Sequence, residues 1–170
     1  THPLIMSTPH HPSSTPVAPA PTGTVVPQPH DPHVARLAEM SVWQVAYCRD
    51  VAQVCGPGLK RMGGATVGGK TMAGRAYTVS GPDIYLNALE SVPPGSIYVH
   101  GGCSPRDAVM SPGFTHAYFA TRGVRGVVVD GGCYKSFEAS SAACPIFAKF
   151  PSPCPAINRR SGVVGATVVV

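Results

Sequence analysis

Gly123-Val-Arg-Gly-Val-Val-Val-Asp-Gly-Gly-Cys133 is the stretch whose reading decides the fold. Val127, Val128 and Val129 form a continuous β-branched run, the pattern of a strand covered on both faces rather than half-exposed. Asp130-Gly131-Gly132 then reads as a sharp turn where backbone approaches a ligand closely. The same grammar occurs once earlier, in Ile97-Tyr98-Val99-His100-Gly101-Gly102-Cys103. Two strands that each end in Gly-Gly-Cys predict successive βα units whose loops sit side by side. Ligands of open α/β sheets bind outside the carboxyl ends of such strands, so these two loops are where chemistry is expected.

Working outward, Ala73-Gly-Arg-Ala-Tyr-Thr-Val79 has a strand pattern, and Asp83 is placed to cap a short helix from Ile84 to Ser91. Pro93-Pro94-Gly95 turns the chain into a strand over 96–100. Ser104-Pro105 starts a helix that is interrupted at Ser111-Pro112-Gly113 and resumes from Phe114 to about Thr121. The central strand covers 124–129. A helix from Ser136 to Ala143, a strand over 145–149, a Pro-rich loop and a final strand over 163–170 complete the chain. The order βαβαβαβ predicts an α/β domain.

Ahead of this unit, Asp31-Pro32 is a helix start, a capping side chain followed by proline at the first position. Leu37 and Met40 give that helix an apolar face. Ser41-Val-Trp-Gln44 fits a capping box and predicts a second helix reaching about Cys55, ended by Gly56-Pro57-Gly58. Trp43, Tyr47, Val51 and Val54 fall at helical spacing and are expected in the core. Gly63-Gly64 and Gly68-Gly69-Lys70 flank a short linker. Gly64-x4-Gly69-Lys70-Thr71 matches a phosphate-loop pattern formally, but a strand follows where that motif must open a helix, so nucleotide binding is not expected.

Residues 1–33 hold nine of the 19 prolines and five of the seven histidines. Such a segment buries too little apolar surface to offset its ordering entropy and is expected to be an extended arm. The predicted division is therefore an arm over 1–33 and one α/β domain over 34–170, a length with room for a proper core. His10-His11 reads as part of a polar linker. No run of about 18 apolar residues spans a membrane, and no stretch has the pattern of a secretory signal. The net charge is +5, and all 13 basic residues lie beyond residue 35. They are scattered, which reads as a solvated surface that leaves room for contact with RNA. The six cysteines lack Cys-x-x-Cys spacing, and reduced, mostly buried thiols of the cytoplasmic kind are expected.

The succession Ala73-Gly-Arg-Ala-x-Thr-Val79, Pro94-Gly-x-Ile-x-Val-x-Gly-Gly102, Gly123-x-x-Gly-Val-Val-Val-Asp-Gly131 and Pro145-Ile-Phe-Ala148 resembles the regulator of ribonuclease activity A (RraA-like) family. The resemblance covers roughly residues 60–170. It implies a swivelling β/β/α domain that forms trimers, sometimes paired into hexamers, with active sites between subunits. Members of the family include 4-hydroxy-4-methyl-2-oxoglutarate aldolases and oxaloacetate decarboxylases, in which Mg²⁺ or Mn²⁺ polarises an α-keto acid. The resemblance places an arginine for the substrate carboxylate and an aspartate for the metal in an Asp-Gly-x-x-Arg-Asp pattern. Here that pattern reads Asp130-Gly131-Gly132-Cys133-Tyr134-Lys135, with Tyr134 at the arginine position and Lys135 at the metal-ligand position.

Met110-Ser111-Pro112-Gly113-Phe114 departs in a second way, lacking the acid of a family helix start and losing one N–H to Pro112. The family's Pro-Gly-Asp turn and last strand also do not follow Val163–Val168. The candidate site is accordingly Arg106, Asp107 and Asp130 in altered catalytic roles, with Gly101, Gly102, Gly131 and Gly132 as substrate-binding backbone. With His100, Asp130, Cys103 and Cys133 expected close by on the two adjacent loops, the stretch also suggests a different metal or anion site, where Cys and His would favour Zn²⁺ over Mg²⁺. Cys103 and Cys133 on adjacent loops are also candidates for a disulfide. Lys135 is expected to pair with Asp130 in place of a lost metal. These features predict a self-assembling structural or scaffold protein, a coat, shell or filament subunit tied by its arm, with no cofactor. The alternatives are a Mg²⁺- or Mn²⁺-dependent carbon–carbon lyase and a regulatory ribonuclease-binding protein.

Overall fold

The computed structural model describes residues 31–47, 57–64, 72–81, 86–101, 108–110, 112–134, 144–153 and 163–165. Two helices lead the chain. Helix α1 spans Pro32–Glu39, and the Asp31 carboxylate caps it by accepting from the His33 and Val34 amides, with proline at the first position as expected. Helix α2 spans Val42–Ala46 and opens with the full capping box, Ser41 Oγ accepting from Gln44 N and Gln44 Oε1 accepting from Ser41 N. The continuation toward Cys55, with Val51 and Val54, lies outside the described residues.

A seven-stranded sheet follows, built from β1 Lys60–Gly63, β2 Ala76–Ser80, β3 Ile97–Gly101, β4 Ala108–Met110, β5 Gly126–Tyr134, β6 Ile146–Ser152 and β7 Val163–Val164. Its order is β1-β6-β5-β3-β2-β7. The four central strands are parallel, while β1 and β7 run antiparallel at the two edges. The two Gly-Gly-Cys strands are indeed neighbours, with His100 opposite Val129. Short β4 pairs with the far end of β5. Helix α3, Leu86–Ser91, connects β2 to β3, and α4, Pro112–Thr121, precedes β5.

Register explains the core. Val79, His100, Val129 and Ala148 align across β2, β3, β5 and β6, as do Tyr98, Val127 and Ile146, so both rows share one sheet face. All seven are fully buried. Leu89 of α3 and Phe119 of α4 belong to the same cluster, together with Val92 and Val124. The Tyr98 ring lies 4.9 Å from that of Phe119, a tilted aromatic contact that locks α4 to the sheet. The opposite face carries Val99, Val128 and Phe147 in one row. Val128 and Phe147 are only half-buried, so the valine run is covered fully on one face alone.

Several expectations are corrected. The central strand does not stop at 129, and Asp130-Gly131-Gly132 does not turn; β5 runs on to Tyr134 because β6 supplies partners as far as Ser152. The strand expected over 145–149 is longer for the same reason. The helix expected from Ser104 is not formed at 108–110, which is β4. Pro112 is the first residue of α4 and not an interruption, since a proline there needs no amide partner and disfavours helix upstream. Lys60–Gly63, given no element above, is β1, and the final strand breaks at Gly165, where φ is +76°. Trp43 and Tyr47 are 77% and 80% exposed, and Leu37 is exposed too, so the apolar face of α1–α2 is not core. Residues 82–85 and the helix expected over 136–143 lie outside the described residues.

Candidate functional site

The carboxyl ends of β3 and β5 bring together the described part of the predicted site. Val129 pairs with Ala148 and Gly132 with Phe150, so β5 spends three residue steps where β6 spends two. The extra residue makes a β-bulge at Asp130-Gly131, the kind of local kink that re-aims a side chain within a sheet. Asp130 comes out of this bulge with its side chain 17% exposed and its carboxylate on the Lys149 ammonium of β6. The expected partner, Lys135, lies outside the described residues, as do Gly102, Cys103, Arg106 and Asp107. Gly131 and Gly132 are buried within the paired strand, and Gly101 is buried at the end of β3.

His100 faces the core. Its Nε2–H donates to the Gly81 carbonyl at 2.7 Å, which leaves Nδ1 as the acceptor facing the Tyr98 hydroxyl at 3.5 Å. Burial holds its pKa below the ordinary histidine value, against a smaller upward pull from the Gly81 bond. A neutral, doubly engaged imidazole is a packed core residue rather than a free ligand. Cys133 is equally buried, its thiol over the Tyr134 carbonyl at 3.9 Å, and burial pushes that thiol up to about 11. Cys144 is raised to about 11 by the same cause. Neither is in a disulfide.

The chemistry this arrangement offers is narrow. Among the described residues no three of His, Cys, Asp and Glu gather as a metal would require. The carboxylate at the bulge already has a cation, and beyond the unpaired Gly131 the strand is held again at Gly132 by both β4 and β6. Tyr134, at the position of the substrate-binding arginine, pairs with Ser152 in the sheet. Sequence reasoning missed Lys149 entirely. The sequence reads 145–149 as a strand without giving it a neighbour, and only its pairing with β5 puts Lys149 one step past Ala148, the residue opposite Val129. No helix of the described residues is long and apolar enough to cross a membrane.

Comparison with known proteins gives a consistent fold. The RraA-like family description, Aldolase/RraA, matches residues 46–170. The structure described as S-adenosylmethionine: 2-dimethylmenaquinone methyltransferase from Geobacillus kaustophilus HTA426 is similar at 26% identity and a TM-score of 0.66, covering 75% of this chain and 79% of that one. The RNA-processing inhibitor RraA from Thermus thermophilis is similar at 22% identity and 0.63, covering 75% and 77%. Streptomyces coelicolor RraAS2, described as an unusual member of the RNase ES inhibitor RraA protein family, is similar at 20% and 0.65, covering 84% and 75%. A search of curated protein sequences finds no match.

Proposed function

Because the chain belongs to the RraA-like family, we propose that it is a self-associating member whose lyase site has lapsed, an assembly or scaffold subunit that works by binding. The observation that carries this reading is the fate of the catalytic pattern. Its arginine and metal-ligand positions hold Tyr134 and Lys135. The stretch up to Tyr134 is sheet and not loop, and the retained Asp130 is neutralised by Lys149. An ammonium in place of a ligand carboxylate repels a divalent cation. The residues therefore do not fit Mg²⁺ or Mn²⁺, and no reaction step is routed through either.

Association is supported by the α1–α2 surface. Val42, Trp43 and Tyr47 are 66%, 77% and 80% exposed, with Leu37 on the preceding helix. Aromatic residues grouped this way are characteristic of interface anchors. Trp43 is the sole tryptophan, so its fluorescence reports this surface alone. The test is sizing by mass photometry alongside Trp43 emission over a dilution series. The expected result is an oligomer with blue-shifted emission that reverts to water-exposed emission on dissociation, and a Trp43→Ala chain shifted toward monomer. A monomer at all concentrations, or decarboxylation of oxaloacetate with Mn²⁺ that Asp130→Asn abolishes, would overturn the proposal.

A further inference from the structure

A cavity of about 720 Å³ opens between the start of α1, the first residues of β2 and the turn before β3. It lies at the amino ends of the parallel strands, opposite the end that carries Asp130 and Lys149. Its volume falls within the about 300–1,000 Å³ range of small-molecule sites. Val34, Tyr77, Pro93 and Pro94 give it apolar walls, and Arg75 and Arg125 bring positive charge.

The charges can be counted. Arg75 is already spent, its Nε and Nη2 donating to one Asp31 oxygen at 2.8 and 2.7 Å. The Asp31 carboxylate also takes the His33 and Val34 amides, so the α1 terminus has no donor left there for a ligand. Arg125 is different. Its Nη1 donates to the Ala73 carbonyl at 3.2 Å, which orients the guanidinium, and it has no acidic partner among the described residues. One oriented guanidinium with open donors suits one carboxylate, because a planar fork matches that geometry.

We propose that this cavity is a binding site for a small organic monocarboxylate with an apolar body, its head on Arg125 and its body against the Tyr77 and Pro93-Pro94 wall. One uncompensated positive charge favours a monoanion over a phosphate dianion, and apolar walls favour an organic acid over a bare inorganic anion. The site uses none of the residues of the lapsed lyase site, and it shares helix α1 with the association surface but none of that surface's exposed apolar residues.

The experiment is a ¹H–¹⁵N NMR titration of the full chain with benzoate at pH 7.5, with benzyl alcohol and inorganic phosphate in parallel. Saturable shifts of the Tyr77, Gly95 and Ser96 amides with benzoate, at least about tenfold weaker with benzyl alcohol, are expected from a charge-assisted contact. Arg125→Met loses the benzoate shifts and Arg125→Lys keeps them in part, while the remaining spectrum of each variant reports that it is folded. Absence of saturable benzoate shifts overturns the proposal, as does undiminished binding to Arg125→Met. Phosphate binding as tightly as benzoate also overturns it, since that would leave a general anion site.

Discussion

Replacing Lys149 with methionine separates the structure's account of Asp130 from the one suggested by its neighbour Lys135. Methionine keeps the length and apolar stem of lysine and deletes only the ammonium, leaving a carboxylate that is 17% exposed with no counter-ion from β6. An exposed ion pair is worth about 0–1 kcal/mol, whereas stripping one partner from a buried pair costs about 3–5 kcal/mol. With Lys149 itself 44% exposed, this pair belongs between those limits, at about 1–2 kcal/mol. At a mid-range urea dependence of about 2 kcal/mol per molar, the midpoint moves down by about 0.5–1 M.

The cost comes from an abandoned charge, so Asp130→Asn should restore much of it when added to Lys149→Met. Urea denaturation of the two single variants and the double variant gives the coupling directly. Lys135→Met serves as the control, and a small effect is expected from it. Single variants that add to within about 0.3 kcal/mol in the double would refute the pairing. A loss that follows Lys135 rather than Lys149 would refute it equally.

Two further expectations concern buried titratable groups. His100 is held neutral by burial, its folded-state pKa below the ordinary value, so the unfolded chain takes up its proton first as pH falls. Its contribution is complete above about pH 6.5 and declines below, by at most about 1.4 kcal/mol per pH unit, and His100→Gln should flatten that acid limb in urea melts between pH 7 and 4.5. An identical pH slope in the variant would contradict the assignment. Cys133 and Cys144, with thiols pushed up to about 11, carry a thiolate fraction of about one in ten thousand at pH 7. Iodoacetamide followed by peptide mass spectrometry should label them only after denaturation; native labelling of either at the rate of a free thiol would show that it is not buried.

How much was legible depended on whether a residue's role was set by its neighbours in sequence or by those in space. The two strands leading into Gly-Gly-Cys, the caps at Asp31 and Ser41 and the adjacency of β3 and β5 follow from local pattern, and they are present. Strand β1 was not legible, because Lys60-Arg-Met-Gly63 has no alternation and exists as a strand only because β6 lends it an edge. Trp43 and Tyr47 do lie in and next to a short helix, as their spacing implies, yet periodicity cannot say whether an apolar face meets its own core or another surface. Pro112 was read as a break when it is a beginning, since proline serves both purposes and the choice depends on what precedes it.

The Asp130-Gly131-Gly132 stretch is the most instructive case, because glycine's freedom permits a turn without requiring one. A turn there would free the ladder groups of β6 from Phe150 to Ser152, each of which would then need another partner. Keeping the strand and absorbing one residue in a bulge keeps β5 and β6 paired on either side of it, and the bulge leaves Asp130 beside Lys149. Two changes therefore act together. On the proposed reading, lysine and tyrosine at the ligand positions remove the reason for an open loop, and pairing as far as Tyr134 narrows the room for a ligand. A site lost by one substitution is restored by reverting it. On the proposed reading the backbone has to be reopened as well, so Tyr134→Arg with Lys135→Asp should not by itself confer Mn²⁺-dependent lyase activity in an oxaloacetate assay.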